Sequence, residues 1–315
     1  MNKVVYLIAS HKNPEQTSRL AKVIRNGSPN SLILVHHDHS SSAFNDSCLE
    51  GLANVVLVPN SVHIEWGGIS MIKMVLHCIR YMLDKSITFD WLVLISGQDY
   101  PVKSLQRIEQ DLAETEYDGF MTYFSLFNSD SLTRKLIFDR YYFRYFKLPT
   151  HWRITSILSR IKKINERQPF VRIFPGLRNA SPRIGFRRYR TIFSESFQCC
   201  KGQFWFMLNR KSVCFLENFL SEHPDTLKYY SRSMIPDESL IQTILSNNEG
   251  LKIKNDHLRF MDWSVSNLSH PKVLGIDDFE EMVSSGAHFA RKFDIAVDSD
   301  VLDMLDEYNK RVTSQ

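Results

Sequence analysis

Several features of common protein classes are missing from this sequence of 315 residues. No apolar run approaches the roughly 20 residues that a helix needs to cross a bilayer. The apolar stretch at residues 4–9 is too short for a secretory signal, and no small-residue cleavage site follows it. The glycine motifs of dinucleotide-binding folds and of P-loop phosphate sites are also missing. The sequence therefore argues against membrane-spanning, secreted and P-loop proteins.

Cysteine is scarce, and its pattern excludes a disulfide framework. There are five cysteines, which is an odd number, and their spacing does not match a metal site. Cys199 and Cys200 are adjacent in the chain, and adjacent cysteines rarely pair with each other. We therefore expect reduced thiols and a cytoplasmic location.

The overall composition is that of a globular protein, with 43% hydrophobic and 23% charged residues. The net charge of +4 hides an asymmetry, because residues 134–190 contain 16 Lys or Arg against only Asp139 and Glu166. Such a block suggests an anionic partner. Aromatic residues are interleaved with it over residues 124–190. The segment is open to three interpretations: a solvated loop or helical excursion, a lid facing an acceptor, or a patch for acidic lipid headgroups. A nucleic-acid partner is not favoured, since no nucleic-acid motif accompanies the block.

Short apolar runs alternate along the chain with segments of helical spacing. The runs predict strands at residues 4–9, 32–35, 55–58, 91–95, 119–123 and 257–263, and a strand or a turn at residues 201–206. The helical spacing predicts helices at residues 14–25, 70–83, 105–112, 211–220, 277–284 and 299–312. This alternation predicts an α/β fold with a mostly parallel central sheet and helices on both faces.

Polar residues cluster where predicted strands end. The clusters are His36-His37-Asp38, Trp66-Gly67-Gly68 and Ser96-Gly97-Gln98-Asp99. In open α/β sheets, ligands bind beyond the carboxyl ends of the strands. A single cluster of this kind is usually just a loop, but three of them on one rim predict a binding cleft.

The segment Pro236-Asp237-Glu238 precedes an apolar stretch of helical spacing and has two interpretations. Pro236 suits the first turn of a helix, where the macrodipole favours the two carboxylates. Alternatively, Glu238 is a general base held at the mouth of a cleft by the end of a helix. The spacing alone does not choose between an acidic helix start and a catalytic base.

The strand-end clusters are parts of a longer series of short sequence strings that occur in order along the chain. They are Leu34-Val35-His36-His37-Asp38, Ile64-Glu65-Trp66-Gly67-Gly68, Ser96-Gly97-Gln98-Asp99-Tyr100-Pro101, Lys201-Gly202-Gln203-Phe204-Trp205, Ile235-Pro236-Asp237-Glu238, Arg259-Phe260-Met261-Asp262-Trp263, His270-Pro271-Lys272 and Phe289-Ala290-Arg291-Lys292-Phe293-Asp294. In this order the strings resemble the core-2/I-branching and peptide O-xylosyltransferase family, known as glycosyltransferase family 14, and specifically a bacterial member. The central basic block matches poorly.

The resemblance implies a single GT-A-like domain over residues 1–315, with an excursion at residues 124–190. It also implies an inverting sugar transferase that uses a nucleotide-sugar donor and no metal. Most GT-A enzymes hold a divalent cation with an Asp-x-Asp motif, whereas the matching place here contains one carboxylate, Asp99. The leaving diphosphate still needs its charge neutralised, and lysine or arginine can do this. The family pattern assigns that role to Lys292, with Arg291, and to Lys272.

The remaining site residues also follow from the resemblance. Glu238 is the expected base that takes the proton from the attacking hydroxyl. Asp38 is expected at the nucleoside end, and Ser96 and Asp99 near the donor sugar. The acceptor side is expected to include Asp237, Trp205 and Trp263, although either tryptophan could equally belong to the core.

The expected reaction moves GlcNAc or xylose from a UDP-sugar to a hydroxyl of a glycan or a lipid-linked glycan. Glucuronic acid transfer also occurs in the family. Surface polysaccharide synthesis is the expected role, with the basic block meeting an anionic membrane surface from the cytoplasmic side. The sequence also permits an alternative, a non-catalytic carbohydrate- or lipid-binding protein on the same fold.

Overall fold

A computed structural model describes residues 3–44, 46–149, 152–161, 163, 165, 168–176, 181–265 and 270–313. Its strands are β1 Val4–Ser10, β2 Leu32–His37, β3 Val55–Leu57, β4 Trp91–Ser96, β5 Asp99–Pro101, β6 Gly119–Ser125, β7 Phe143–Lys147, β8 Val171–Phe174, β9 Arg183–Arg187, β10 Cys200–Asn209, β11 Ile253–Lys254, β12 Arg259–Met261 and β13 Phe289–Arg291.

The helices are α1 Pro14–Gly27, α2 Ser70–Asp84, α3 Leu105–Glu114, α4 Ser131–Tyr141, α5 Trp152–Ile161, α6 Arg210–Glu222, α7 Pro224–Tyr230, α8 Leu240–Ser246, α9 Phe279–Ser284 and α10 Asp300–Thr313. Short 3₁₀ turns occur at Asp46–Leu49, Pro236–Glu238 and Ile276–Asp278. In the part of the chain that the structure describes, no helix combines the length and the apolar content needed to cross a bilayer.

The central sheet has seven strands in the order β11-β6-β10-β4-β1-β2-β3. β1 pairs in parallel with β2 and β4, β2 in parallel with β3, and β11 in parallel with β6. β10 is the exception, because it runs antiparallel to both β4 and β6. The predicted α/β class, with a mostly parallel central sheet flanked by helices, is confirmed.

Two hydrophobic cores lie on opposite faces of this sheet. Alternate residues of β1 contribute to different cores: Val5 and Leu7 to one, Tyr6 and Ile8 to the other. The first core contains residues of α2, α6 and α8, and the second contains residues of α1, α3 and α10. Because both faces are covered, the central strands are continuous apolar runs, as expected for parallel strands. Burial of these runs leaves the strand ends as the natural place for polar chemistry.

A three-stranded sheet of order β12-β13-β5 stands beside the central sheet. β13 pairs in parallel with β12 and antiparallel with β5. This register places Arg291 directly opposite Asp99, and Phe289 opposite Arg259. The small sheet therefore brings together charged residues that lie far apart in the sequence.

The basic and aromatic segment at residues 124–190 contains α4, α5 and a second small sheet of order β7-β9-β8, antiparallel throughout. In β7, Phe143 and Tyr145 are buried, whereas Arg144 and Phe146 are exposed. This two-residue period is that of a strand with one buried face. Of the interpretations left open by the sequence, a purely solvated loop is therefore wrong for this segment.

Two predicted boundaries need correction. The strand predicted at residues 257–263 ends at Met261. The helix expected to begin at Pro236 is a separate 3₁₀ turn, and α8 begins only at Leu240. Ser239 breaks the helix with a φ of −145° because its hydroxyl donates a hydrogen bond to the Cys200 carbonyl. A tertiary contact thus overrides the local helix signal.

Candidate active-site cleft

A cavity of about 390 Å³ lies at the carboxyl ends of β1, β2 and β4. We call it the strand-end cleft. Its wall is formed by Ala9, Ser10, His11, Lys12, His36, Asp38, Ser41, Ile64, Trp66, Met71, Met74, Ser96, Gly97, Gln98, Trp205 and Arg291. All three polar clusters predicted from the sequence contribute to this wall, which confirms that they meet on one rim.

Asp38 is buried at one end of the cleft, as an acceptor of several hydrogen bonds. Its carboxylate accepts from the Ile64 amide at 2.9 Å and from the Ser40 hydroxyl at 2.6 Å. Burial alone raises the pKa of Asp38, but these hydrogen bonds outweigh it, so the net pKa lies below its ordinary value. The carboxylate is therefore ionised at neutral pH, and it ties the segment before Trp66 to the end of β2.

The turn after β4 packs closely against α1. A Cβ atom added to Gly97 would lie 2.5 Å from the Thr17 Oγ1, so only glycine fits at this position. The Gln16 amide donates hydrogen bonds to the carbonyls of Gly97 at 2.9 Å and of Phe293 at 3.1 Å. Gln16 thus connects two walls of the site, a role that the sequence analysis missed because a lone glutamine in a helix carries no signal.

Asp99 lies behind the cleft wall rather than in it. Its carboxylate is fully buried, 3.4 Å from the Arg291 Nη1 and 3.8 Å from the Arg259 Nε. Burial lowers the pKa of Arg259 to about 10, although Asp99 opposes this shift, so the guanidinium stays charged at neutral pH. The expected contact of Asp99 with a donor sugar is replaced by a buried Arg259–Asp99–Arg291 triad that positions Arg291 at the cleft.

Trp205 lies against the same triad. The guanidinium carbons of Arg291 and Arg259 lie 4.0 and 4.7 Å from the centroid of its ring. These cation–π contacts help to hold the two buried charges. Trp205 lines the cleft, and the guanidinium groups of Arg259 and Arg291 already contact its ring. Trp263, the other predicted aromatic contact, is 55% exposed and does not line the cleft.

Cationic side chains gather at one edge of the cleft. Lys12 and Arg291 line it, and Lys12 is anchored by Asp294 at 2.9 Å. Lys292 follows Arg291 in the chain but does not itself line the cleft. Burial lowers its pKa, as do the nearby charges of Lys12 and Arg291. Lys12 was missed by the sequence analysis, although its position directly after the end of β1 is the same signal that identified the polar clusters.

Lys272 is placed differently from the other predicted cations. Its backbone lies beside Lys292, whose amide is 3.5 Å from the Lys272 carbonyl. Its ammonium group, however, pairs with Asp278 at 2.6 Å and with Asp262 at 3.8 Å, and it does not line the cleft. The structure therefore brings Arg291 and Lys12 together at the cleft, while the Lys272 charge is matched by two carboxylates.

Glu238 lies on the 3₁₀ turn Pro236–Glu238 with its side chain 31% exposed. One carboxylate oxygen, Oε2, accepts from the Arg140 guanidinium at 2.6 Å and lies 3.2 Å from the Lys201 ammonium. Glu238 does not itself line the strand-end cleft. The turn is nevertheless joined to the cleft segment, because the Ile235 amide donates to the Gly67 carbonyl at 3.1 Å.

Gly67 and Ile235, the two residues joined by this hydrogen bond, both have a left-handed backbone conformation. Gly67 has a φ of +69°, which glycine adopts without strain. Ile235 has a φ of 47°, which is unusual for a β-branched residue. Its carbonyl accepts a hydrogen bond from the Tyr141 hydroxyl at 3.1 Å, so contacts on both of its peptide groups hold this conformation. The turn that carries Glu238 is thus set by tertiary contacts.

Asp237 is the most perturbed carboxyl group of the site. Burial and the neighbouring charge of Glu238 raise its pKa to about 7, opposed by Arg140 and Lys201. Its Oδ1 is buried and has no hydrogen-bond partner in the described part of the chain. Burial next to a second carboxylate thus makes the charged form of Asp237 less favourable than that of an ordinary aspartate.

The sheet and cleft define an α/β protein with a charged ligand site at the carboxyl ends of its strands. Comparison with known families identifies the family to which this α/β protein belongs. Residues 4–137 and 157–283 match the family model described as "Core-2/I-Branching enzyme". This match extends over most of the chain, which therefore belongs to the core-2/I-branching enzyme family, as the sequence strings predicted.

Curated relatives agree with this family. The chain is 26% identical to the beta-glucuronosyltransferase GlcAT14A of Arabidopsis thaliana over 89% of its own length, and 23% identical to xylosyltransferase 2 of Homo sapiens over 96%. It spans only 58% and 33% of these two proteins. A solved structure of the galactosyltransferase LgtC covers 97% of this chain, and the chain covers 95% of it, but with 10% identity and a TM-score of 0.38 it carries no further conclusion.

Proposed function

We propose that the chain is an inverting glycosyltransferase that moves a sugar from a UDP-sugar to a hydroxyl group of a glycan. The carrying observation is the strand-end cleft, which has the Asp38 carboxylate at one end and the charges of Lys12 and Arg291 on its wall. A nucleoside offers hydroxyl and N–H donors to a carboxylate, and a diphosphate needs cations. As the bond to the sugar breaks, positive side chains stabilise the charge that develops on the departing diphosphate.

The proposed reaction needs no divalent metal. This proposal is supported by the surroundings of Asp99, the single carboxylate at the position where most GT-A enzymes have an Asp-x-Asp motif. Asp99 is buried and committed to Arg259 and Arg291, so its charge is already balanced. Arg291 and Lys292 would then do the electrostatic work of a metal ion, with Lys12 beside them.

Glu238 is the proposed base for the acceptor hydroxyl. An inverting transfer is a single displacement, in which one carboxylate removes the proton of the attacking hydroxyl. Arg140 and Lys201 both contact Oε2, which orients the carboxylate and leaves Oε1 as the oxygen to receive the proton. Asp237, which precedes this base in the same 3₁₀ turn, is the proposed neighbouring contact of the acceptor.

The donor sugar that we propose is GlcNAc or xylose, and the role is surface polysaccharide synthesis. The names of the relatives, a glucuronosyltransferase and a xylosyltransferase, support the transfer of a sugar in general. The alternative is a carbohydrate- or lipid-binding protein without catalysis on the same fold. The cations at the cleft favour the enzyme, because a simple glycan-binding site has no diphosphate to neutralise.

The test is release of UDP from UDP-GlcNAc, UDP-xylose and UDP-glucuronic acid, with and without EDTA. We expect release from at least one donor at a rate that EDTA does not change. Replacing Lys292 with alanine is expected to weaken UDP binding about 10- to 100-fold, since a charge-assisted hydrogen bond is worth about 1.5–3 kcal/mol. Lys85→Ala, at an exposed position after α2, is the matched control.

Each part of the proposal has its own contrary result. Turnover that EDTA abolishes and Mn²⁺ restores would show that the reaction depends on a metal. Unchanged UDP affinity in Lys292→Ala would remove Lys292 from the diphosphate site. UDP release from none of the donors would favour the non-catalytic alternative.

We also propose that the basic block binds an anionic membrane surface at the cytoplasmic face. Part of its charge is used internally, since Arg140, Arg172 and Arg183 pair with Glu238, Asp139 and Glu65. Other members, among them Arg134 and Lys135 on α4, are exposed.

We expect the protein to sediment with phosphatidylserine vesicles at low salt and to dissociate as salt is raised, because screening weakens such contacts. Vesicles of phosphatidylcholine alone are the control. No sedimentation with anionic vesicles at low salt would refute the membrane contact.

A further inference from the structure

A second cavity, of about 490 Å³, lies where β6 ends and β10 begins. We call it the amide groove, because amide side chains are prominent in its wall. Its lining includes Phe124, Asn128, Glu195, Gln198, Asn247 and Glu249. None of these residues lines the strand-end cleft. The groove is therefore separate from the strand-end cleft, and none of the residues assigned a role in the proposed reaction lines it.

The groove begins beside the proposed base. Phe124 of β6 is directly opposite Lys201 of β10 in an antiparallel pair. Residues in such a pair project from the same face of the sheet, with Cβ atoms about 4.5–5.5 Å apart. Lys201 in turn lies 3.2 Å from the Glu238 carboxylate. The aromatic ring of Phe124 is thus the next side chain along the sheet from the ion pair that holds Glu238.

Phe124 is suited to contact with a sugar ring. It is 47% exposed although it lies in a strand of the central sheet. A flat aromatic face offers apolar contact to the C–H groups on one side of a sugar. Trp205 is less suited to this task, because two arginines already contact its ring.

The wall of the groove is polar and rigid. The Asn247 side chain bonds twice to the backbone of Gln198, donating to its carbonyl and accepting from its amide, both at 2.8 Å. A second donor bond, from Asn247 to the Thr243 carbonyl at 2.7 Å, fixes the same side chain to α8. Both N–H groups of Asn247 are used in these bonds, so Asn247 fixes the shape of this part of the wall and leaves hydrogen bonding to a ligand to the other lining side chains.

The charge of the groove selects among glycans. Its charged lining residues are the exposed acids Glu195 and Glu249, and no Lys or Arg lines it among the residues that the structure describes. Carboxylates and amides accept hydrogen bonds from sugar hydroxyls, but carboxylates repel uronates and phosphates. The groove is thus opposite in character to the neighbouring basic block.

We propose that the amide groove binds the part of a neutral glycan acceptor that lies beyond the attacked hydroxyl, with one sugar ring on Phe124. This inference rests on the proposed function, because the proposed base Glu238 determines which end of the bound glycan carries the attacked hydroxyl. It deepens that function by naming a neutral oligosaccharide, rather than an acidic one, as the acceptor class.

Binding is measured first, by saturation-transfer NMR and calorimetry without any donor. The probes are cellotetraose, chitotetraose and galactotetraose, with tetragalacturonate as the acidic counterpart. We expect a neutral probe to bind and tetragalacturonate to bind at least tenfold more weakly. Phe124→Ala is expected to weaken binding of the neutral probe about fivefold to tenfold. Phe127→Ala is the matched control, since Phe127 is 62% exposed in the same segment but lies outside the groove.

Two further measurements make the test specific. Glu249→Lys should shift preference towards tetragalacturonate, which a purely structural role of Glu249 would not do. Circular dichroism and thermal unfolding of Phe124→Ala and Phe127→Ala report whether both variants are folded, so that a loss of glycan binding in Phe124→Ala alone is assigned to the groove.

The contrary outcomes are distinct. Binding of none of the neutral probes, tighter binding of tetragalacturonate, or equal losses in the two phenylalanine variants would overturn the groove as a neutral-glycan site. If a neutral probe binds through Phe124 but the wild-type protein releases no UDP from any donor, the groove stands and the proposed catalysis fails.

Discussion

Replacing Glu238 with glutamine is expected to reduce sugar transfer by about 10²–10⁴-fold, the usual contribution of a general base. The amide has nearly the same shape as the carboxylate but cannot take a proton from the acceptor hydroxyl. Binding of UDP should stay close to that of the wild type, because Glu238 does not line the strand-end cleft. Single-turnover transfer and UDP-induced thermal shift measure these two quantities separately.

The control for this variant must account for lost ion pairs, because Glu238 neutralises Arg140 and Lys201. Glu65 offers a close match, since its carboxylate also pairs with two cations, Lys147 and Arg183. We expect Glu65→Gln to lower transfer less than about tenfold, because Glu65 is not the proposed base. The loss of its contact with Arg183, whose side chain is only 4% exposed, should appear as a lower free energy of unfolding. Near-normal turnover in Glu238→Gln, or equal losses in both variants, would remove Glu238 from the role of base.

The largest expected effect on stability comes from Asp99. Asp99→Asn removes the negative charge between Arg259 and Arg291, whose guanidinium groups are buried against Trp205. Breaking a buried ion pair in this way costs about 3–5 kcal/mol in the free energy of unfolding, because a buried charge loses its partner. We expect the same variant to bind UDP more weakly, since Arg291 loses the group that positions it.

Urea unfolding measures the stability change, and an exposed ion pair provides the comparison. Asp303 is 68% exposed and lies 2.6 Å from the Arg19 guanidinium. Asp303→Asn is expected to cost less than about 1 kcal/mol, as is usual for surface pairs. If the two aspartate variants unfold with the same free energy, the triad does not hold the site together in the way proposed here.

Elements with strong local patterns were predictable from the sequence. The apolar runs at residues 4–9 and 91–95 correspond to β1 and β4 within one residue at each end. The helix predicted at residues 70–83 corresponds to α2 at Ser70–Asp84. These patterns are visible in the sequence because the burial of one strand or one helix face repeats every few residues. The polar clusters were also predictable, since parallel strands bring their carboxyl ends to one edge.

Other parts of the site depend on contacts across long sequence separations. The Asp99–Arg291 contact joins residues 192 positions apart, and Arg259 reaches the Leu94 carbonyl over 165 positions. No periodicity in the sequence reports such a pairing. The prediction of a helix beginning at Pro236 was wrong for the same reason, because the Ser239 hydroxyl donates a hydrogen bond to the Cys200 carbonyl of a distant strand.

By itself, the sequence determined the α/β class, the strand-end location of the cleft and the membership of the core-2/I-branching enzyme family. Only the tertiary structure decided which charged groups face that cleft. It placed Lys12 and Arg291 on the wall, buried Asp99 behind it and paired the Lys272 ammonium with two acids. The physical reason is that charge placement depends on which distant carboxylate neutralises each cation, and the packed sheets, rather than local residue patterns, bring those partners together.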